Sequence, residues 1–86
     1  MRTKVSAALQ ISSMRRALQD GEAVRLRTDA GLSRPEMAAA CGVTPSALWR
    51  WERQERVPRG ATAVAYARML ERLRDASSAA SAGRSA

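Results

Sequence analysis

Apolar side chains recur at Ala7, Ile11, Met14 and Leu18, spaced four, three and four residues apart. That spacing is one stripe of an amphipathic helix and predicts a helix over residues 5–18. Asp20 and Gly21 interrupt it. Ala23, Leu26 and Ala30 then mark one face of a shorter helix over about 22–30, which Gly31 ends. Ser33, Pro35 and Glu36 carry the start signals of a third helix: a hydroxyl cap, a proline in the first turn and the acid of a capping box. It runs through Met37, Ala38 and Cys41 and stops at Gly42. Thr44 and Pro45 open a fourth helix by the same logic, continuing to Arg53, and Pro58 and Gly60 mark a loop. A last helix, about 62–75, has Ala63, Tyr66, Ala67, Leu70 and Leu73 along one face. No stretch alternates as a strand. The expected fold is all-α, a compact bundle of about five helices. Residues 1–19 form a helical extension and residues 20–75 the main unit. From Ala76 onward the chain is Ala, Ser and Gly with a single Arg84, so residues 76–86 are expected to be a frayed or disordered tail.

Composition narrows the chemistry. A chain of 86 residues is one domain at most and buries only about 60–65% of its unfolded surface, so a large catalytic cleft is hard to build. Aromatics are limited to Trp49, Trp51 and Tyr66, which leaves Leu, Met, Val, Ile and Ala to form the core. Fifteen basic residues face eight acidic ones for a net charge of +7, and every base except Lys4 is arginine. Such a surplus is the footprint of a polyanion binder, and arginine's flat donor fork suits phosphate and the guanine edge. Composition alone leaves an anionic membrane surface or an acidic protein partner open. Cys41 is the sole cysteine and there is no histidine, so neither an intramolecular disulfide nor a zinc site of Cys and His is available. A reducing cytoplasm fits, with no metal, cofactor or small-molecule ligand expected. No run reaches the ~18 apolar residues of a membrane span. Without histidine, paired carboxylates or a Gly-rich phosphate loop, an enzyme is not expected either.

The most informative feature is the pair of capped helices joined by Gly42-Val43-Thr44. Their close crossing needs a small residue, which Ala38 supplies, and Met37, Cys41, Val43, Leu48 and Trp51 fall on the shared face. Projected at 100° per residue, the helix after Thr44 puts Ala47, Leu48, Trp51 and Glu55 in one arc. Pro45, Ser46, Trp49, Arg50 and Arg53 occupy the opposite one. A major groove admits one such helix, whose N-terminal half reaches base edges.

These residues resemble the Cro/Xre-type, phage-repressor-like helix-turn-helix family. The likeness runs from about residue 22 to 73, through Arg27, Gly31-Leu32-Ser33, Glu36-Met37-Ala38, Gly42-Val43-Thr44, Leu48, Trp51-Glu52, Pro58, Tyr66-Ala67 and Leu70. It implies a lambda-repressor-like bundle in which Pro45, Ser46 and Arg50 face bases while Arg34, Arg53, Arg56 and Arg59 lie near phosphates. Thr44, at the start of the same helix, joins the phosphate set. Arg27 and Glu52 match a salt-bridged pair between the first and recognition helices. Pro45 departs from the pattern, replacing a position often held by a base-reading polar residue, and the segment before residue 20 is extra. Ser46 either reads DNA or only caps its helix. Trp49 either packs on another helix or touches a thymine methyl or a deoxyribose among the base contacts. Cys41 reads as core.

The resemblance implies a sequence-specific regulator of transcription, a repressor that occludes an operator in the cytoplasm of a bacterium or phage-infected host. The antitoxin of a toxin–antitoxin pair is a close variant. An architectural factor of the excisionase or MerR kind is the alternative, although such proteins place the motif first and follow it with a β-wing. One recognition helix reads few base pairs, so a homodimer on half-sites about one helical turn apart is expected. Its interface comes from Ile11, Met14 and Leu18, or from Leu70 and Leu73, unless the N-terminal helix folds back onto its own core.

Overall fold

The structure, a computed structural model, describes the backbone of residues 3–85 and the side chains of residues 5–79. Residues 1, 2 and 86, the outermost parts of the expected extension and tail, lie outside the described residues. Five helices follow one another: α1 (Thr3–Asp20), α2 (Glu22–Asp29), α3 (Arg34–Cys41), α4 (Pro45–Glu52) and α5 (Gly60–Ser85). No described residue is in a strand.

The corners form where the sequence places its caps. Gly21 sits at φ 83°, a left-handed conformation that turns the chain sharply between α1 and α2. The Asp20 carboxylate there accepts the Glu22 backbone N–H at 2.9 Å. Ser33 and Glu36 complete a reciprocal capping box: the Glu36 N–H donates to Ser33 Oγ at 3.2 Å, and the Ser33 N–H donates to Glu36 Oε1 at 2.8 Å. Hydrogen bonding from Ser33, chiefly from its backbone N–H, holds the Glu36 carboxyl below its usual pKa. Gly42, at φ 73°, ends α3 while the Val43 N–H returns to the Ala38 carbonyl at 3.0 Å. Thr44 caps α4 by accepting the Ala47 N–H at 3.1 Å.

α5 is the spine of the bundle and packs against α1, α2 and α3. One continuous core joins Met14, Ala17 and Leu18 of α1 to Leu26, Met37, Leu48, Trp51, Tyr66 and Leu70. The α1 stripe therefore turns inward onto its own chain, with Met14 only 1% exposed. Arg74 closes the α1–α2–α5 corner, donating from Nε and Nη2 to both Glu22 carboxylate oxygens at 3.1 and 3.0 Å.

Two expectations need correcting. Met14, Leu18 and Leu70 were candidates for a dimer interface, but all three are buried within one chain, with Ile11 and Leu73 packed against the same core. Folding back won because a thin core gains about 1.5–3 kcal/mol from each large aliphatic side chain it covers. The final helix, in turn, spans Gly60–Ser85 where residues 62–75 were expected. The lack of anything large to bury does not end a helix already nucleated by packing. Ala76, Ala79, Ala80 and Ala82 extend the hydrogen-bond ladder with the most favourable intrinsic propensity of any residue, among serines and Gly83 that favour it less.

Candidate nucleic-acid interface

α3, the turn through Gly42-Val43-Thr44, and α4 form a tight pair, with Ala38 fully buried beneath the crossing. α4 is locked from below by Leu48, which is fully buried, and by Trp51, whose ring lies 5.1 Å from that of Tyr66 on α5. Burial, with the Glu52 charge adding to it, pushes the Tyr66 phenol well above its ordinary pKa, and its hydroxyl has no hydrogen-bond partner among the described residues. Burial likewise pushes the Cys41 thiol up, as suits a core cysteine.

Glu52 fixes α4 sideways. Its carboxylate accepts Arg27 Nε at 2.6 Å and Arg27 Nη2 at 3.1 Å, a bidentate pair buried between α2 and α4. Arg27 Nη1 donates to the Leu32 carbonyl at 2.9 Å. The same carboxylate also accepts Arg34 Nε at 3.0 Å. Arg34, whose family counterpart lies near phosphate, is thus tethered through one nitrogen while its side chain stays 45% exposed. Nothing in the residue spacing announces this second partner, because it depends on how α3 crosses α4.

The opposite face of α4 is open. Pro45, Ser46, Trp49, Arg50 and Arg53 are all exposed, as the projection requires. Thr44 alone caps the helix, so Ser46 is released from that role. Trp49 is not part of the buried core. It is 39% exposed and carries the Arg53 guanidinium 4.6 Å above its ring, a cation–π contact. Glu55 does not share the buried arc: α4 ends at Glu52, so a helical projection no longer applies there. Glu55 is exposed and accepts Arg53 Nε at 2.8 Å. Arg56 and Arg59 follow in the α4–α5 loop, exposed and without an ion-pair partner among the described residues. No cluster of three potential metal ligands occurs among the described residues, and no described helix is long and apolar enough to cross a membrane.

A capped helix pair with a three-residue turn, the second helix seated on the core by one face and turning a basic face outward, defines a helix-turn-helix DNA-binding regulator. The helix-turn-helix family model matches residues 25–73, more than half of the chain, and the protein belongs to that family, of the Cro/Xre type. No curated protein and no solved structure matches it significantly. α1 lies outside the matched residues.

Proposed function

We propose that this protein is a transcriptional repressor that occupies an operator and blocks polymerase by occlusion, laying α4 in the major groove. The carrying observation is the face of α4 itself: five exposed positions in one arc, backed by a helix held rigidly from beneath and from the side. Ser46, Trp49, Arg50 and Pro45 face base edges in this reading. Arg50 is the residue able to read guanine with a bidentate fork, and Trp49 offers an apolar surface to a thymine methyl. Thr44, Arg34, Arg53, Arg56 and Arg59 border the phosphates. Tethering of Arg34 through Nε leaves its two terminal nitrogens available for that contact.

Two copies on a two-fold symmetric site supply the discrimination that one helix lacks, with half-sites ~34–36 Å apart. Their contact surface lies outside the shared core. Selection of bound duplexes from a random pool tests the proposal: enrichment of a symmetric site supports it, and a pool without enrichment removes it. Sedimentation of the chain on the selected site tests the pairing, since a monomer there refutes it.

A further inference from the structure

Three open grooves run into one another along the α4–α5 loop. The first, of about 680 Å³, is lined by Arg50, Arg56 and Arg59, with buried Trp51 and exposed Gln54 beside them. The second, of about 350 Å³, shares Trp51, Gln54, Arg56 and Val57 with it and adds Arg15 and Gln19 from α1. The third, of about 440 Å³, contains Arg15, Pro58 and Arg59. Arg15 therefore stands where the second and third grooves meet, and a basic track passes from the recognition helix through the α4–α5 loop onto α1.

We propose that this track continues the DNA-contacting surface beyond the family's segment, with Arg15, Arg56 and Arg59 cradling backbone phosphates that flank the stretch faced by α4. The inference rests on the DNA-binding reading above. Charge carries it. Arg15, Arg50, Arg56 and Arg59 are exposed and have no ion-pair partner among the described residues. Glu55 is the one carboxylate lining any of the three grooves, and Arg53 already holds it. Four guanidiniums gathered with no free acid between them repel one another, and within a Debye length of ~8–10 Å that repulsion is only partly screened. A chain of evenly spaced phosphates relieves it, and each contact releases a condensed counterion. The fold-back of α1 onto the core, driven by Met14 and Leu18, holds Arg15 in place without a carboxylate to anchor it.

The experiment measures affinity of the intact chain for an end-labelled, mixed-sequence duplex across a salt series, because non-specific binding is almost wholly electrostatic. Arg15→Ala and Arg15→Gln are compared with Arg72→Ala, which removes an exposed arginine that lines none of these grooves. Both Arg15 variants are expected to weaken binding and flatten the log–log salt slope by about 0.9, one phosphate contact, with Arg15→Lys keeping the slope. Arg72→Ala is expected to leave it unchanged. An unchanged slope in the Arg15 variants overturns the inference while duplex binding by the intact chain stands. An equal loss from Arg72→Ala also overturns it, since net charge alone then suffices. An intact chain that binds no duplex defeats the DNA-binding reading and this inference together.

Discussion

Replacing Glu52 by alanine removes the acceptor of three guanidinium N–H groups at once. Its side chain is 3% exposed and that of Arg27 8%, so the variant leaves a buried cation whose one remaining bond is to the Leu32 carbonyl at 2.9 Å. Breaking one side of a buried pair costs ~3–5 kcal/mol, chiefly because the stranded charge stays desolvated. The Arg34 link adds less than about 1 kcal/mol, because solvent screens a partner that is 45% exposed. A domain of this length holds only ~4–13 kcal/mol in total. Glu52→Ala is therefore expected to lower the melting temperature by roughly 12–40 °C, at ~4–8 °C per kcal/mol for a domain this small. Thermal unfolding followed by far-ultraviolet circular dichroism measures it. The companion double variant Arg27→Met with Glu52→Leu removes both charges and fills similar volume, and it should recover most of the loss. A melting temperature within a few degrees of the unaltered protein, or a double variant as unstable as the single one, would refute the buried-charge argument.

Arg50→Ala should lose about 1–3 kcal/mol of preference at one base pair of a selected site while keeping most non-specific affinity; equal losses in both would make Arg50 a phosphate contact. Tyr66→Phe removes a buried hydroxyl with no partner, so stability in urea should hold or rise by about 1 kcal/mol, whereas a clear loss would mean that the hydroxyl is satisfied. Folding raises the pKa of both Cys41 and Tyr66, so their contribution is complete below their unfolded values of 9.0 and 10.0 and is lost as pH rises above them. Urea midpoints should therefore fall above about pH 9, with Tyr66→Phe flattening the decline above pH 10; a midpoint level through this range would contradict it. Gln54 holds φ 61° just after α4, the left-handed region disfavoured for a side chain, so Gln54→Gly should stabilise the fold by about 1 kcal/mol, and a lower melting temperature would show that its side chain matters more than its backbone.

The local signals were legible because they are local. Ser33 with Glu36, Thr44, Gly21 and Gly42 act on backbone groups within four residues of themselves, and each cap forms where the sequence placed it. The inner face of α4 was equally readable from Leu48 and Trp51. What escaped depends on how helices cross. Whether Met14 turned inward or toward a second copy follows from the packing of α1 on α5, which no periodicity encodes. The Arg34–Glu52 and Arg74–Glu22 pairs join residues 18 and 52 positions apart, and Arg15 reaches the basic track only through that same packing. α5 runs past residue 75, where its apolar stripe ends, because a helix already nucleated by packing needs no further apolar side chain to continue.

Trp49 and Trp51 stand two residues apart on one helix, yet one faces solvent beneath an arginine and the other lies sealed against Tyr66. The protein thus carries two optical reporters with separate subjects. Emission from Trp51 follows the integrity of the fold, shifting to the red only when the interior opens. Emission from Trp49 follows events at the outer face of α4, and under the proposed binding mode a nucleic-acid base arriving there is expected to quench it without any unfolding. With Trp49→Phe and Trp51→Phe as single-colour versions, occupancy and denaturation become separable signals from the same unlabelled chain.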